Sequence, residues 1–256
     1  MTGLNRLSNS SASTYLECSW RWKLTRLDGL SEGERSYFSL GRSVHFACEH
    51  LGVGLMKGQL PSLESAMGAL NERWVRGGFR TQEEEYKAYD EAVAMVKRLH
   101  GQLEAAPPAI AAVEVELFGG VDGLSVPLHG VIDRVDRLPD GRVGILDYKT
   151  SKQLGPSDAE KSDQLTVYQA LYEASHPGEK VGLLSLHSLR TGRVYDVPPR
   201  TPERVRAVID TYQSVVNGIA AGEFAPSTGN WCSRCTFRYD GNCPAYPVEP
   251  GFVALI

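Results

Sequence analysis

The spacing of apolar and polar positions divides the chain into three stretches. Over the first hundred residues apolar positions recur every three or four residues, the helical period. Ser10 or Ser11 is placed to cap a helix through Tyr15, Leu16, Trp20 and Leu24, which Gly29 ends. A second helix is expected from near Gly41, carrying Val44, His45, Cys48 and Leu51, with further helices over about 62–75 and 82–104. Ala105-Ala106-Pro107-Pro108 then breaks the pattern.

In the middle the period shortens to two. Val113-Glu114-Val115-Glu116-Leu117-Phe118 alternates as a strand does, Val126 to Leu138 less strictly, and Arg142 to Thr150 is a third, apolar-rich strand. Pro139-Asp140-Gly141 is a tight-turn sequence, so the three read as an antiparallel meander. A helix is expected over about 158–175, then a strand from Val181 to His187 that Arg193–Val197 can pair with. Thr201 caps a last helix reaching about Ala221. The remainder is loop-like. The order implies an α/β or α+β core behind a helical N-terminal region, with 1–110 mainly helical, 111–222 the core and 223–256 a tail of one domain.

The hairpin carries the first chemistry. Centring its turn on Asp140 sets opposite one another residues whose numbers sum to 280, and Asp133 and Asp147 meet that condition. Their side chains then share one face, roughly 5 Å apart at Cβ. Lys149, two residues on, shares that face, and Tyr148 points away. Like charges directly opposite destabilise a sheet, and a divalent cation with hard oxygen ligands, Mg²⁺ or Mn²⁺, offsets that cost. The competing reading is an exposed ion-pair network of the same three side chains. Glu114 or Glu116 could add a carboxylate, although both read first as solvent-side strand positions.

Composition constrains the rest. With 42% hydrophobic and 23% charged residues the chain resembles an ordinary soluble globular protein, long enough to bury a sizeable core. No apolar run approaches the roughly 20 residues of a membrane helix. The first residues lack a long apolar block, so no signal peptide is expected and the cytoplasm is the default location. A net charge of −4 gives no global attraction to nucleic acid, but local basic groups remain, Arg21, Lys23 and Arg26 early and Arg190, Arg193, Arg200, Arg204 and Arg206 late. No GxxxxGK[ST] phosphate loop is present, which argues against an ATP-driven motor.

Five cysteines in a cytoplasmic chain argue against a disulfide framework. Cys232, Cys235 and Cys243 cluster, and CxxC spacing lets two sulfurs reach one metal centre. A fourth ligand is missing locally, and Cys48 reads as a packed core thiol. Trp20, Trp231 and Tyr239 beside the cysteines read as packing around a cofactor.

Taken in order, these segments resemble the RecB-like branch of the PD-(D/E)XK nuclease superfamily, including its CRISPR-associated exonucleases. Ser11 to Cys18 resembles the segment that begins many such domains, Gly41-Arg42-Ser43-Val44-His45 the histidine motif, and Gly130-Val131-Ile132-Asp133-Arg134 with Asp147-Tyr148-Lys149-Thr150 the acidic and lysine motifs. Gln164-Leu165-Thr166-Val167-Tyr168 resembles the QxxxY motif. No one motif is specific, but five in order are, from about Leu7 to Tyr246. The resemblance implies a restriction-endonuclease-like core, a central mixed sheet flanked by helices. It implies His45, Asp133, Asp147 and the Tyr148 carbonyl as metal ligands, Lys149 as the catalytic lysine, and Gln164 and Tyr168 as its orienting or DNA-contacting partners. It also implies a structural [4Fe–4S] cluster on Cys18, Cys232, Cys235 and Cys243, with zinc as the alternative.

The activity implied is an exonuclease on single-stranded DNA or DNA ends, in repair, recombination or phage- and CRISPR-related processing, with a helicase or other repair protein as a partner and no membrane. A structure-specific endonuclease of the same fold, a non-catalytic DNA-binding module and a zinc-stabilised protein with no nucleic-acid role are the alternatives.

Overall fold

The structure is a computed structural model that describes residues 4–247. The first three residues and the last nine of the expected tail lie outside the described residues. The chain divides into two compact units. A terminal unit gathers the residues up to Gly33, Gly120–His129 and those from Arg206 on; a central unit holds Glu34–Gly119 and Gly130–Val205.

In the central unit three helices pack together, α3 (Ser36–Met56), α4 (Leu63–Glu72) and α5 (Gln82–Ala105). Leu40, Val44, Ala47, Cys48 and Leu51 recur at i, i+4, i+7, i+8 and i+11 on α3. They form one core with Ala66 and Leu70 of α4 and Ala92, Met95, Val96 and Leu99 of α5. α3 starts at Ser36, five residues before the expected Gly41, because Gly41 is needed inside the helix. A Cβ there would sit 3.3 Å from Thr150 Oγ1, so a small residue lets α3 approach the end of the third core strand. Cys48 is buried in this core, as expected of a packed thiol.

The sheet of this unit comprises β2 (Ile110–Gly119), β3 (Leu128–Arg137, from Gly130 on), β4 (Val143–Lys149), β5 (Val181–Ser188) and β6 (Val194–Val197). β4 lies antiparallel to β3 and parallel to β5, β6 lies antiparallel to β5, and β2 pairs with β3. The hairpin register is the one expected: Arg134 faces Leu146 and Arg137 faces Val143, so partners sum to 280. Gly141 takes φ +85 in the turn, a conformation open to glycine. β4 is buried along its length but for Lys149, with helices on both faces. Leu146 and Tyr148 join the α3–α5 core.

The expected helix over 158–175 is two, α6 (Pro156–Lys161) and α7 (Asp163–Ser175). Ser162 leaves helical geometry at ψ 109, and its hydroxyl caps α7 by accepting the Leu165 N–H at 3.1 Å. α7 packs on β2, β4 and β5.

In the terminal unit the first expected helix is also two, α1 (Asn9–Glu17) and α2 (Ser19–Arg26), and the cap is Ser8. Cys18 stands between them in extended geometry, and its sulfur takes the Arg21 N–H at 3.5 Å. The two-residue β1 (Leu7–Ser8) pairs in parallel with Leu128 and His129, adding a sixth strand. Trp22 is buried, stacks on Phe224 at 5.9 Å and donates its indole N–H to Ser11 Oγ at 2.8 Å. α8 (Pro202–Ala221) begins where Thr201 accepts the Arg204 N–H. Beyond it the chain forms two short 3₁₀ turns, Asn230–Arg234 and Thr236–Arg238. Among the described residues no helix is long and apolar enough to cross a membrane.

Candidate active site

The hairpin ends in a cluster of charge. Asp133 Oδ2 accepts the Tyr148 backbone N–H at 2.6 Å, and Oδ1 lies 3.4 Å from His45 Nδ1. That bond carries Asp133 across the strand pair at the position facing Asp147. Asp147 is buried, with its Oδ2 2.6 Å from Lys149 Nζ. The Asp147–Lys149 ion pair of the rival reading is therefore present, but the acid in it is buried, not exposed.

Lys149 is held from the other side. Its ammonium donates to Gln164 Oε1 at 2.7 Å, and Gln164 Nε2 donates to the Tyr168 hydroxyl at 2.7 Å. Gln164 and Tyr168 sit one turn apart on α7, which is why a QxxxY spacing builds this relay. The Tyr168 ring lies where a Cβ on Gly130 would come within 3.1 Å, so the glycine of the first acidic motif makes room for it. Burial pushes the Tyr168 phenol well above its ordinary value and keeps it protonated.

Glu114 is the residue that the sequence reading placed wrongly. It is the only non-glycine residue among the described ones with positive φ, at +47. Such a backbone costs of order 1–3 kcal/mol and persists only where the surroundings impose it. The twist turns the carboxylate inward: one ligand atom each from His45, Glu114 and Asp133 lies within 4.8 Å of the others. Glu116, two residues on, is exposed as expected. The alternating pattern gave both glutamates the same face, and no local signal marks the reversal.

The electrostatics show how crowded the negative charge is. Burial, opposed by Lys149 and helped by Asp133, leaves the Asp147 carboxyl raised to about 6. Burial and then Asp133 raise Glu114 to about 7. Burial opposes charge on His45, but the bond to Asp133 and the neighbouring carboxylates outweigh it and hold the imidazole at about 9. The His45 side chain keeps 31% of its surface open, so a cation has access to it. Metal binding displaces protons from such ligands. An inward triad of one imidazole and two carboxylates, beside the buried Asp147 carboxylate, has the donor set of a divalent-cation site.

Tyr148 points into the opposite core, as expected, and its hydroxyl accepts from Arg134 at 2.9 Å. Arg134, buried and also paired to Asp136, is structural. Half of the basic groups singled out from the sequence are paired with acids of the chain. Arg21 pairs with Glu17 and Glu32, Lys23 with Asp28, Arg190 with Glu91 and Arg204 with Asp163.

A sequence profile of the PD-(D/E)XK nuclease superfamily matches residues 6–239. The chain belongs to that superfamily. Gene 69 protein of Mycobacterium phage D29 is 24% identical over 93% of this chain and 96% of its own length. An ATP-dependent helicase/deoxyribonuclease component of Streptococcus agalactiae serotype Ia is 27% identical over 58% of this chain, and its Streptococcus mutans counterpart 51% identical over 18%. The chain spans only 14% and 4% of those two relatives. A solved Eubacterium rectale structure that carries an exonuclease designation shares the fold at TM-score 0.53 with 15% identity, over 90% of this chain and 87% of that one.

Four cysteines of this superfamily member lie apart from the acidic site in sequence and belong to the terminal unit. Cys18 and Cys232 are buried, Cys235 and Cys243 partly so, and all are unbridged. The segments that carry them are tied together. Ser19 and Ala225 exchange two bonds at 2.9 and 3.1 Å, Trp20 Nε1 donates to Asn242 O at 2.8 Å, and Thr236 Oγ1 donates to Glu32 O at 2.6 Å. Trp20 thus ties the two segments together, while Tyr239 is exposed. Among the described residues no three of the cysteine sulfurs lie within 4.8 Å of one another.

Proposed function

We propose that this chain is a divalent-metal-dependent deoxyribonuclease, and that it acts as an exonuclease on single-stranded DNA or DNA ends. The observation that carries the reading is the pair of acids Asp133 and Asp147 beside a lysine fixed by Gln164 and Tyr168. His45, Asp133 and Glu114 would hold the cation, Mg²⁺ or Mn²⁺, with Asp147 and the Tyr148 carbonyl adjoining. When bound, the cation supplies Lewis acidity to the phosphodiester and offsets its charge.

The remaining work falls to the chain. Lys149, anchored at 2.7 Å on Gln164, presents a fixed positive charge to the phosphate oxygens as negative charge builds on them. Its anchoring means that little reorganisation is needed at the moment of reaction. Asp147 sets the other side of the ammonium. Asp133, tied to the Tyr148 N–H, keeps the first acid aligned with His45. Gln164 and Tyr168 position the lysine and do not themselves supply charge.

For the cysteines we favour a [4Fe–4S] cluster on Cys18, Cys232, Cys235 and Cys243 with a structural role. This preference rests on the family resemblance, and a Cys₄ zinc site is the rival that explains the same CxxC spacing. Iron and sulfide analysis of anaerobically purified protein tests this, and stoichiometric zinc without iron would decide for zinc. A helicase partner is the companion proposal, drawn from the helicase/deoxyribonuclease relatives.

The direct test is digestion of 5′- and 3′-labelled single- and double-stranded DNA with Mg²⁺ or Mn²⁺. Wild type should degrade DNA, and Lys149→Ala and Asp147→Ala should not. Equal activity in the variants would sink the assignment. A covalently closed single-stranded circle should survive an exonuclease, and its cleavage would favour the endonuclease reading.

A further inference from the structure

α3 has two faces. One is the buried stripe of Leu40, Val44, Ala47, Cys48 and Leu51. The opposite stripe is Phe38, Arg42, His45, Phe46 and Glu49, at i, i+4, i+7, i+8 and i+11, none of them buried. It therefore runs through a side chain of the acidic site and continues from there in both directions.

Toward the helix start the stripe changes character. Phe38 is 57% exposed and lies against Tyr37, itself 46% exposed, with ring centroids 4.4 Å apart. Two large aromatic rings in mutual contact with so much surface open are costly to leave in water. Arg42, between Phe38 and His45, is exposed and has no acidic partner among the described residues. Tyr37 also lines a recess of about 330 Å³ with Lys152 and Arg190. Arg190 donates to the Thr150 carbonyl at 2.7 Å, one residue past Lys149. Toward the helix end the stripe carries Phe46, whose ring Arg73 covers at 4.9 Å, and then Glu49. The glutamate's charge opposes a phosphate there.

We propose that Phe38 and Arg42 form a subsite for the nucleotides of a single strand flanking the reacting phosphate. This rests on the nuclease reading above. Phe38 stacks on an unpaired base, Arg42 takes the adjoining phosphate, and the strand leaves His45 toward the start of α3. Phe38 and His45 are seven residues apart, roughly 10 Å along the helix axis, a reach that brings the first flanking nucleotides onto the aromatic pair. A stacked duplex base offers no free face to Phe38, so the subsite selects unpaired strands. Arg42 reads no base and serves any sequence.

The test is fluorescence anisotropy of a labelled oligothymidylate and of a blunt hairpin duplex on the full chain. Ca²⁺ replaces the active cation, so that binding is read without turnover. Phe38→Ala should weaken single-strand binding about tenfold, and duplex binding by less than twofold. Phe38→Trp should restore or tighten it. Arg42→Ala should weaken single-strand binding several-fold and reduce the slope of log affinity against log salt by about 0.7. Tyr86→Ala, an aromatic equally exposed on α5, should change nothing. Wild-type single-strand affinity in Phe38→Ala, or equal loss on strand and duplex, would overturn the subsite, as would a wild type that binds no single strand. A wild type that binds strands with this pattern yet cleaves none in Mg²⁺ or Mn²⁺ would instead overturn the nuclease reading and leave the subsite standing.

Discussion

The central and terminal units solve different problems with different materials. The central unit crowds like charges on a rigid frame: two strand-borne acids, a strained Glu114 and an imidazole, with a lysine locked from two sides. Its elements are long and its apolar stripes continuous. The terminal unit joins three segments far apart in sequence through the short α1 and α2, most of the long α8, 3₁₀ turns and side-chain bonds to backbone carbonyls. Both bury apolar side chains, but the second also carries four thiols with no disulfide among them. A site that tolerates repulsion needs a stiff scaffold, and a small multi-segment unit needs a staple.

Four experiments press on that contrast, in decreasing order of effect. Lys149→Ala should cut DNA cleavage by at least about 100- to 1,000-fold while leaving the thermal midpoint near wild type. Loss of stability as large as the loss of rate would make the lysine structural and blur the distinction.

Acid should act on the central frame through His187. Its ring is buried, with Nε2 3.1 Å from Gln102 Oε1 and Nδ1 lacking a partner. Burial, aided by Arg134, lowers it from 6.5 to about 4. The unfolded chain takes up the proton as pH falls through about 6.5 and the folded chain only near 4, so the His187 contribution is fully present above 6.5 and about 3 kcal/mol of it is lost between those limits. Glu114, raised to about 7, and Asp147, raised to about 6, act in the opposite sense and return stability as they take up protons over the same range. Urea titrations of wild type and His187→Gln should therefore diverge on acidification, the variant coming out about 3 kcal/mol ahead near pH 4 relative to their difference near pH 7, and parallel pH profiles would remove His187 from the account.

Cys232→Ser should lower the thermal midpoint by about 5 °C or more. Segment-resolved hydrogen exchange should show opening confined to residues near 9–26 and 224–247, with α3–α5 still protected. Uniform deprotection would mean that the two units share one stability.

Gln164→Ala should reduce turnover about tenfold, with little change in KM, since it frees the lysine without removing its charge. A change in KM alone would place Gln164 on the DNA.

Much of the central unit was legible in the chain. The hairpin register followed from one turn sequence, Pro139-Asp140-Gly141, because a strand's side chains alternate and the turn fixes the pairing. The QxxxY relay followed from helical spacing. Two helix breaks escaped, at Cys18 and Ser162, since each residue fits a continuing helix by period and leaves it only to cap the next one. Glu114 escaped for a deeper reason: its orientation depends on a backbone reversal that neighbouring elements impose.

The linear pattern was enough for the faces of the helices, the opposition of Asp133 to Asp147 and the family to which the chain belongs, because each depends on local periodicity or on motifs in order. Tertiary packing was needed to bring Glu114 to His45 and Asp133, to bury Asp147 against Lys149, and to pair Arg21 with Glu32, Arg190 with Glu91 and Arg204 with Asp163. Those are properties of what comes near a side chain from elsewhere in the chain, and a one-dimensional pattern does not carry them.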